Sequence, residues 1–183
     1  VNNKDTEMQF FNLPFHVYKN DLNWIAPLIQ DIKKVFDPKA NEYFDHGECA
    51  RWILVEQGKT IGRIAAFINY NIANTEEQPT GGCGFFECIS DTNAATMLFD
   101  TAKEWLQKRN MQAMDGPVNF GERNAWWGLL TEGFKPATYQ MNYNPPYYKK
   151  LFEDYGFKDY FQQYSFWVDI RQKRPEKYRA IIE

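Results

Sequence analysis

Residues 52–69 read WILVEQGKTIGRIAAFIN, and residues 83–109 read CGFFECISDTNAATMLFDTAKEWLQKR. In the first stretch an apolar run, Trp52–Glu56, meets turn chemistry at Gln57-Gly58-Lys59 and resumes as Thr60–Asn69, which predicts a β-hairpin. In the second, Cys83–Ile89 reads as a strand buried through Phe85, Phe86 and Ile89. It leads into the clearest helix of the chain, about residues 92–109, with Ala95, Leu98, Ala102, Trp105 and Leu106 on one face. Asp91 or Ser90 suits its N-cap, and Lys108 and Arg109 suit its C-terminal dipole. Met111–Val118 then reads as a short strand broken at Gly116-Pro117. A hairpin plus a strand–helix–strand unit predicts an α/β fold, with a mixed, mostly antiparallel sheet and helices on both faces.

Outward from this centre, residues 5–19 carry Met8, Phe11, Phe15 and Tyr18 at helical spacing, with Pro14 predicting a kink or two short pieces. Residues 23–36 read as a second helix capped by Asn23, with Pro27 in its first turn. Residues 70–81 read as a polar loop, Glu122–Leu130 as a short helix and 134–146 as irregular. Tyr147–Tyr155 reads as a helix closed by Gly156, Tyr160–Ile170 as a strand, and Pro175–Ile182 as the start of another helix. Residues 1–170 are expected to form one domain, and 171–183 to begin a C-terminal extension or helix. The ends at Val1 and Glu183 read as cut from a longer chain.

The composition bounds the function. The chain has 183 residues and a net charge of −3. That balance argues against a broad nucleic-acid surface. Residues 171–183 carry +3 against −6 for the rest, and such a basic end reads as a solvated face. No run of about 18 apolar residues is present, so no membrane partner is expected. Cys49, Cys83 and Cys88 form no disulfide framework. They read as buried free thiols in a reducing cytoplasm, with Cys83 and Cys88 on opposite faces of their strand. With only His16 and His46 to join them, no metal site is expected.

The element order resembles the GNAT superfamily of acyl-coenzyme-A-dependent N-acyltransferases. Two places carry the resemblance: residues 52–110, including Ile61-Gly62-Arg63-Ile64-Ala65-Ala66, and the run from Asn144 through Tyr147-Tyr148 to Gly156-Phe157. The runs 84–88, 116–120 and 143–148 are most similar to a bacterial subgroup of uncharacterised GNAT-like proteins. The resemblance implies acyl transfer from acetyl-CoA or another acyl-CoA to a small-molecule or peptide amine, in a ternary complex. It implies a cofactor edge at Cys88 and Ile89. It also implies a pyrophosphate held by the backbone of Thr92, Asn93, Ala94 and Ala95, because a helix N-terminus carries free donors and partial positive charge. The chain departs from the family here. Ser90-Asp91-Thr92-Asn93 has neither the usual glycines nor the arginine, and Asp91 sets a carboxylate beside the diphosphate position.

Glu87, in an otherwise apolar strand, is the candidate base or water-orienter; the alternative is a solvent-facing glutamate or a pair with Arg63. Tyr147 and Tyr148 are the candidate acids, since the family's tyrosine position falls here on Phe152. Packing is the alternative for all three aromatics. Asn119, Glu122 and Asn124 are candidates for the acceptor pocket, with Arg63 as a further substrate contact. A non-catalytic GNAT-like module that binds a ligand or partner and has lost the pyrophosphate loop is the rival reading. The oligomeric state is open, a dimer among the options.

Overall fold

The computed structural model describes residues 1–75, 77–169 and 171. Its sheet has four strands in the order β1 (Gly47–Glu56), β2 (Lys59–Asn69), β3 (Thr80–Cys88) and β4 (Ala113–Asp115). The first two junctions are antiparallel and the last is parallel. Helices α1 (Lys4–Val17) and α2 (Ile29–Val35) cover one face, while α3 (Thr92–Gln107) and α4 (Tyr148–Tyr155) cover the other. This is the expected mixed α/β architecture.

The hairpin closes through Gln57 (φ 47°) and Gly58 (φ 76°). Two successive positive φ values make the turn whose twist matches that of the strands it joins. Arg63 pairs with Glu87 and Ala65 with Gly84, so β3 carries one extra residue, a bulge at Phe85 (φ 50°). The bulge shifts the strand's alternation. Cys83 and Cys88 consequently enter the same core, against α3 and α4, rather than opposite faces. Phe85 packs on Phe36 below the sheet and Phe86 stacks on Phe99 above it. Gly84 is required where the chain after β4 crosses, because a Cβ there would lie 1.8 Å from the Val118 carbonyl oxygen.

Pro14 does not break α1. A proline at this position cannot donate to the Phe10 carbonyl; Arg63 Nη1 donates to it instead, at 2.8 Å. The helix therefore runs uninterrupted to Val17, started by the Asn3–Thr6 capping box. The second helix is shorter than expected and begins at Ile29. Pro27 pushes Ala26 away from helical geometry, and Asn23 turns its amide to the Phe134 carbonyl rather than to a helix start.

Three further expectations are corrected. Residues 122–130 form no helix, because their donors go to distant carbonyls: Trp126 N–H to Gln140 and Gly128 N–H to Pro117. The strand expected over Met111–Val118 is confined to β4. Residues 160–169 pair with no strand among the described residues, and Tyr160 and Phe166 are each 90% exposed. The helix expected at Pro175–Ile182 lies outside the described residues.

Candidate functional site

β3 and β4 stay paired only over Thr80–Gly82 and Ala113–Asp115, with one more bond from Val118 N–H to the Cys83 carbonyl. Beyond that point the two chains part. Side chains from three elements converge on the opened edge of β3, and Glu87 is their centre. Its carboxylate lies on the α1 side and is almost wholly buried. Arg63 Nη2 approaches Oε1 at 3.4 Å, while Tyr18 and Tyr148 both donate to Oε2, at 2.9 and 2.8 Å. Burial raises the Glu87 carboxyl above its ordinary value, opposed by Arg63 and then by the two phenols. Burial likewise lowers Arg63, opposed chiefly by Glu87. Tyr18 and Tyr148 are driven well above the usual phenol range, by burial first and by the Glu87 charge second.

Local sequence explains how the tyrosines arrive. Asn144 is buried, accepts from Leu130 N–H at 2.7 Å and donates to the Leu130 carbonyl at 3.0 Å, so its amide acts as a short strand partner. Pro145-Pro146 then fixes the approach. α4 starts with Tyr147 at its cap and Tyr148 in its first turn. Gly156, with φ 109°, ends the helix. The non-hydrogen-bonded pairing of Cys88 with Gly62 leaves the Cys88 backbone facing the opened edge. Cys88 N–H donates to Tyr148 Oη at 2.8 Å, and Tyr147 Oη donates to the Cys88 carbonyl at 2.8 Å. Tyr148 is buried and engaged on both sides; Tyr147 is half-buried. Phe152 is buried among Phe86, Phe99 and Phe157.

Ile89 continues the strand by donating to the Ile61 carbonyl. α3 opens directly after it. Asp91 caps this 16-residue helix, its carboxylate accepting from Ala94 N–H at 2.8 Å and its carbonyl from Ala95 N–H. Thr92 and Asn93 N–H make no hydrogen bond among the described residues. By its backbone this end fits a phosphoryl group; by the charge of Asp91 it opposes one.

The structure brings Glu87, Tyr147, Tyr148, Arg63 and Cys88 together. It does not bring Asn119, Glu122 or Asn124 to them. Phe120 packs on Phe67, four residues along β2 from Arg63, or about 13 Å at the rise of a strand. Asn119 and Glu122 instead line a separate cavity of about 300 Å³ with Asn41 and Tyr43, where Tyr43 donates to Glu122 at 3.0 Å. Among the described residues Asn119 Oδ1 is buried without a hydrogen-bond partner. Asn124 is exposed. Arg63 is 3% exposed and committed to Glu87 and the Phe10 carbonyl, which sets it inside the structure rather than on a substrate-facing wall.

Sequence reasoning missed Tyr18, which reads as one more apolar position of α1. Its ring stacks on Trp24, with centroids 4.8 Å apart, and carries the hydroxyl to Glu87. The only local signal is a tyrosine, rather than a phenylalanine, at a buried position. Among the described residues no helix is long and apolar enough to cross a membrane, and no cluster of histidine, cysteine and carboxylate suits a metal.

No family model matches the chain. It is 30% identical over 170 residues to a protein named bacterial ceramide synthase, from Caulobacter vibrioides (strain NA1000 / CB15N), covering 92% of this chain and 44% of that one. It is 29% identical over 167 residues to protein YghO of Escherichia coli (strain K12), covering 91% of this chain and 42% of that one. The chain thus spans less than half the length of these curated relatives. In structure it resembles AAC(6')-Iy, solved with the bisubstrate analogue CoA-S-monomethyl-acetylneamine (TM-score 0.52, 13% identity, 91% of this chain and 94% of that one). It also resembles the aminoglycoside 6'-N-acetyltransferase AAC(6')-IG of Acinetobacter haemolyticus (TM-score 0.53, 13% identity, 92% and 95%). The chain has the GNAT acetyltransferase fold.

Proposed function

We propose, from that fold, that the chain supports N-acyl transfer from an acyl-CoA to an amine at the opened edge of β3. One observation carries the reading: Glu87, Tyr147 and Tyr148 meet where β3 leaves β4, one turn of chain before the N-terminus of α3. The acyl-CoA supplies an activated thioester. In direct transfer the amine nitrogen bonds to the acyl carbon, the carbon–sulfur bond breaks, the amine loses a proton and the thiolate gains one. Glu87 is the base, reached directly or through a water. Burial makes its carboxyl a stronger proton acceptor than an exposed glutamate. Tyr147 is the acid, because its hydroxyl points to the Cys88 carbonyl rather than to Glu87 and its ring is half-buried. Tyr148 fixes Glu87 and the Cys88 amide and is the weaker candidate for proton transfer. Thr92 and Asn93 N–H hold the diphosphate.

The name of the Caulobacter relative supports the direction of the chemistry, since a ceramide is an amide of a long-chain amine. The acceptor class inferred for this chain is accordingly an amine.

A second reading is favoured by a specific observation. Asp91 occupies Ala94 N–H, and the tyrosine pair occupies the Cys88 backbone, so several of the groups that would grip the cofactor already have partners. That arrangement suits a GNAT-like module that binds a ligand or partner without transferring an acyl group.

Calorimetric titration with acetyl-CoA separates the two, with Asp91→Asn beside the native chain. Asparagine caps a helix as well as aspartate does, so the variant removes charge and little else. Asp91 is exposed; two unit charges about 5 Å apart in mostly aqueous surroundings repel by about 1 kcal/mol. The acyltransferase reading expects binding by both forms, about fivefold tighter for the variant. Absence of binding by both leaves the module reading.

A further inference from the structure

We propose that the cavity below the sheet, between the turn Glu42–Asp45 and residues 119–122, binds a primary alkylammonium through the Asn119 amide and the Glu122 carboxylate. The site lies apart from the opened edge of β3, and the inference does not depend on the acyl-transfer reading.

The starting observation is one side chain. Four polar or charged residues are buried among the described residues: Arg63, Glu87, Asn119 and Asn144. Three of them are hydrogen-bonded: Arg63 donates to the Phe10 carbonyl, Glu87 accepts from two phenols, and Asn144 pairs with the Leu130 backbone. Asn119 is 7% exposed, and its Oδ1 has no partner among the described residues. A buried amide left unpaired weakens the fold, and a bound donor removes that penalty. The backbone also leaves room for it, since a Cβ on Gly121 would lie 2.8 Å from Asn119 Nδ2. The terminal torsion of asparagine is broad and roughly two-fold. Oδ1, which has no bond to lose, can therefore turn to the cavity that Asn119 lines.

The rest of the cavity, about 300 Å³, selects the ligand. Its donors are spent. Asn41 donates to the Val35 and Phe120 carbonyls, and the Tyr43 hydroxyl donates to Glu122 Oε1. What remains are acceptors: Asn119 Oδ1, the second Glu122 oxygen and the Glu42 carboxylate. Both carboxylates act on the Tyr43 hydroxyl, which burial first and then Glu122 and Glu42 hold above the usual phenol range. Lys34, the one cation among the lining residues, pairs with Asp31 at 3.6 Å. Such a set repels an anion and offers a neutral alcohol no partner for its charge. A primary ammonium brings three donors and the opposite sign. The Tyr43 and Phe120 rings in the same wall suit a cation on a short alkyl stem. Two carboxylates and an amide are too few ligands for a hard metal ion, and no cluster suited to a metal occurs among the described residues.

The test is titration of the isotope-labelled full chain with butylammonium chloride, followed by two-dimensional nitrogen–proton NMR. That spectrum resolves the Asn119 side-chain amide and the Gly121 and Tyr43 backbone signals. Butanol, sodium butyrate and magnesium chloride run beside it at matched ionic strength, with no acyl-CoA present. Two variants accompany it, and thermal melting checks each fold. Glu122→Gln keeps an acceptor for Tyr43 and removes the charge from an exposed side chain. Asn119→Leu keeps the approximate shape and removes the amide. The expected result is saturable shifts at Asn119, Gly121 and Tyr43 with butylammonium alone. Glu122→Gln should weaken binding about fivefold, and Asn119→Leu at least about tenfold without lowering Tm. Absence of a saturable shift overturns the proposal, and so do equal shifts with butanol, butyrate or magnesium. Undiminished binding by either variant overturns it as well. Shifts confined to Cys88 and Tyr148 would assign the amine to the opened edge of β3 alone, with the same consequence. Glu122→Gln decides the question by itself if Asn119→Leu fails to fold. Failure of acetyl-CoA to bind changes none of these outcomes.

Discussion

Pro14 and Arg63 lie 49 residues apart in sequence and serve one carbonyl oxygen, that of Phe10. This makes their energetic coupling predictable. Replacing Arg63 with Met removes the donor to that carbonyl and the cation beside Glu87. A buried carboxylate stripped of its partner costs about 3–5 kcal/mol, and an unpaired buried carbonyl adds about 1–3 kcal/mol. Replacing Pro14 with Ala restores a backbone N–H at the position from which the helix reaches Phe10, so the carbonyl keeps a donor whether or not Arg63 is present. The Glu87 loss is common to both backgrounds and cancels in a double-mutant cycle. The expected coupling is therefore the carbonyl contribution alone, about 1–3 kcal/mol, with Arg63→Met less harmful in the Pro14→Ala protein. For a chain of this size that is a difference of about 3–9 °C in Tm. Urea denaturation of the four proteins, followed by circular dichroism, gives the cycle. Additivity within about 0.5 kcal/mol would refute the claim that Arg63 replaces the missing helix donor.

Glu87→Gln tests the pH dependence of the same cluster. The folded carboxyl titrates above its ordinary 4.5 because of burial, so its contribution is fully present below pH 4.5 and is lost as pH rises through the folded value. Stability measured against pH is expected to fall across that window in the native protein and to flatten there in the variant. Tyr147→Phe is expected to lower acyl transfer about 10- to 100-fold with little change in Tm. Tyr148→Phe should instead destabilise the fold by about 2–3 kcal/mol, because it leaves Cys88 N–H and one Glu87 oxygen short of a partner; comparing melting curves with turnover distinguishes them. Phe152→Tyr, which places there the tyrosine that the resemblance implies, should cost about 1–3 kcal/mol in chemical denaturation and gain no activity, since the ring packs among Phe86, Phe99 and Phe157.

What the sequence revealed was what neighbouring residues decide. The hairpin turns on Gln57-Gly58, α3 on the Asp91 cap and its apolar stripe, and α4 on Gly156. Each depends on contacts within about four positions. The resemblance to the acetyltransferase fold rested on those same pieces. Missed features depend on distant groups. Residues 122–130 look helical until their N–H donors find Gln140 and Pro117. Cys83 and Cys88 look opposed until the bulge at Phe85 shifts the strand's phase. That Glu87, Tyr147 and Tyr148 lie together could be anticipated in part, Glu87 as a lone glutamate in an apolar strand and the tyrosine pair through the resemblance to the family's tyrosine-bearing helix. Asn119 and Glu122 were grouped with them on polarity, and the chain's path below the sheet carries them to another cavity.

On the proposed acyl-transfer reading, the cluster at the opened edge of β3 also constrains how Glu87 would serve as the base. Arg63 holds one oxygen of Glu87 and two phenols hold the other. Two phenols already occupy Oε2, so a proton arriving at that oxygen must displace one of them, while Oε1 holds only the long Arg63 contact. Tyr18 is the partner best placed to yield. Its hydroxyl has a second acceptor in the Tyr143 carbonyl at 3.3 Å, and its ring stacks on Trp24, which lies between α1 and α2. Tyr148, by contrast, is also tied to the Cys88 amide and closed in by Phe86. Rotation of Tyr18 toward Tyr143 would free Oε2 on the α1 side while Arg63 and Tyr148 keep the carboxylate in place. Tyr18→Phe is then the informative substitution. If Tyr18 only supports the fold, the loss of its hydrogen bond lowers stability and leaves the pH profile of turnover unmoved. If it gates the base, the freed oxygen shifts the limb of that profile belonging to Glu87, and the shift persists at temperatures far below the melting transition.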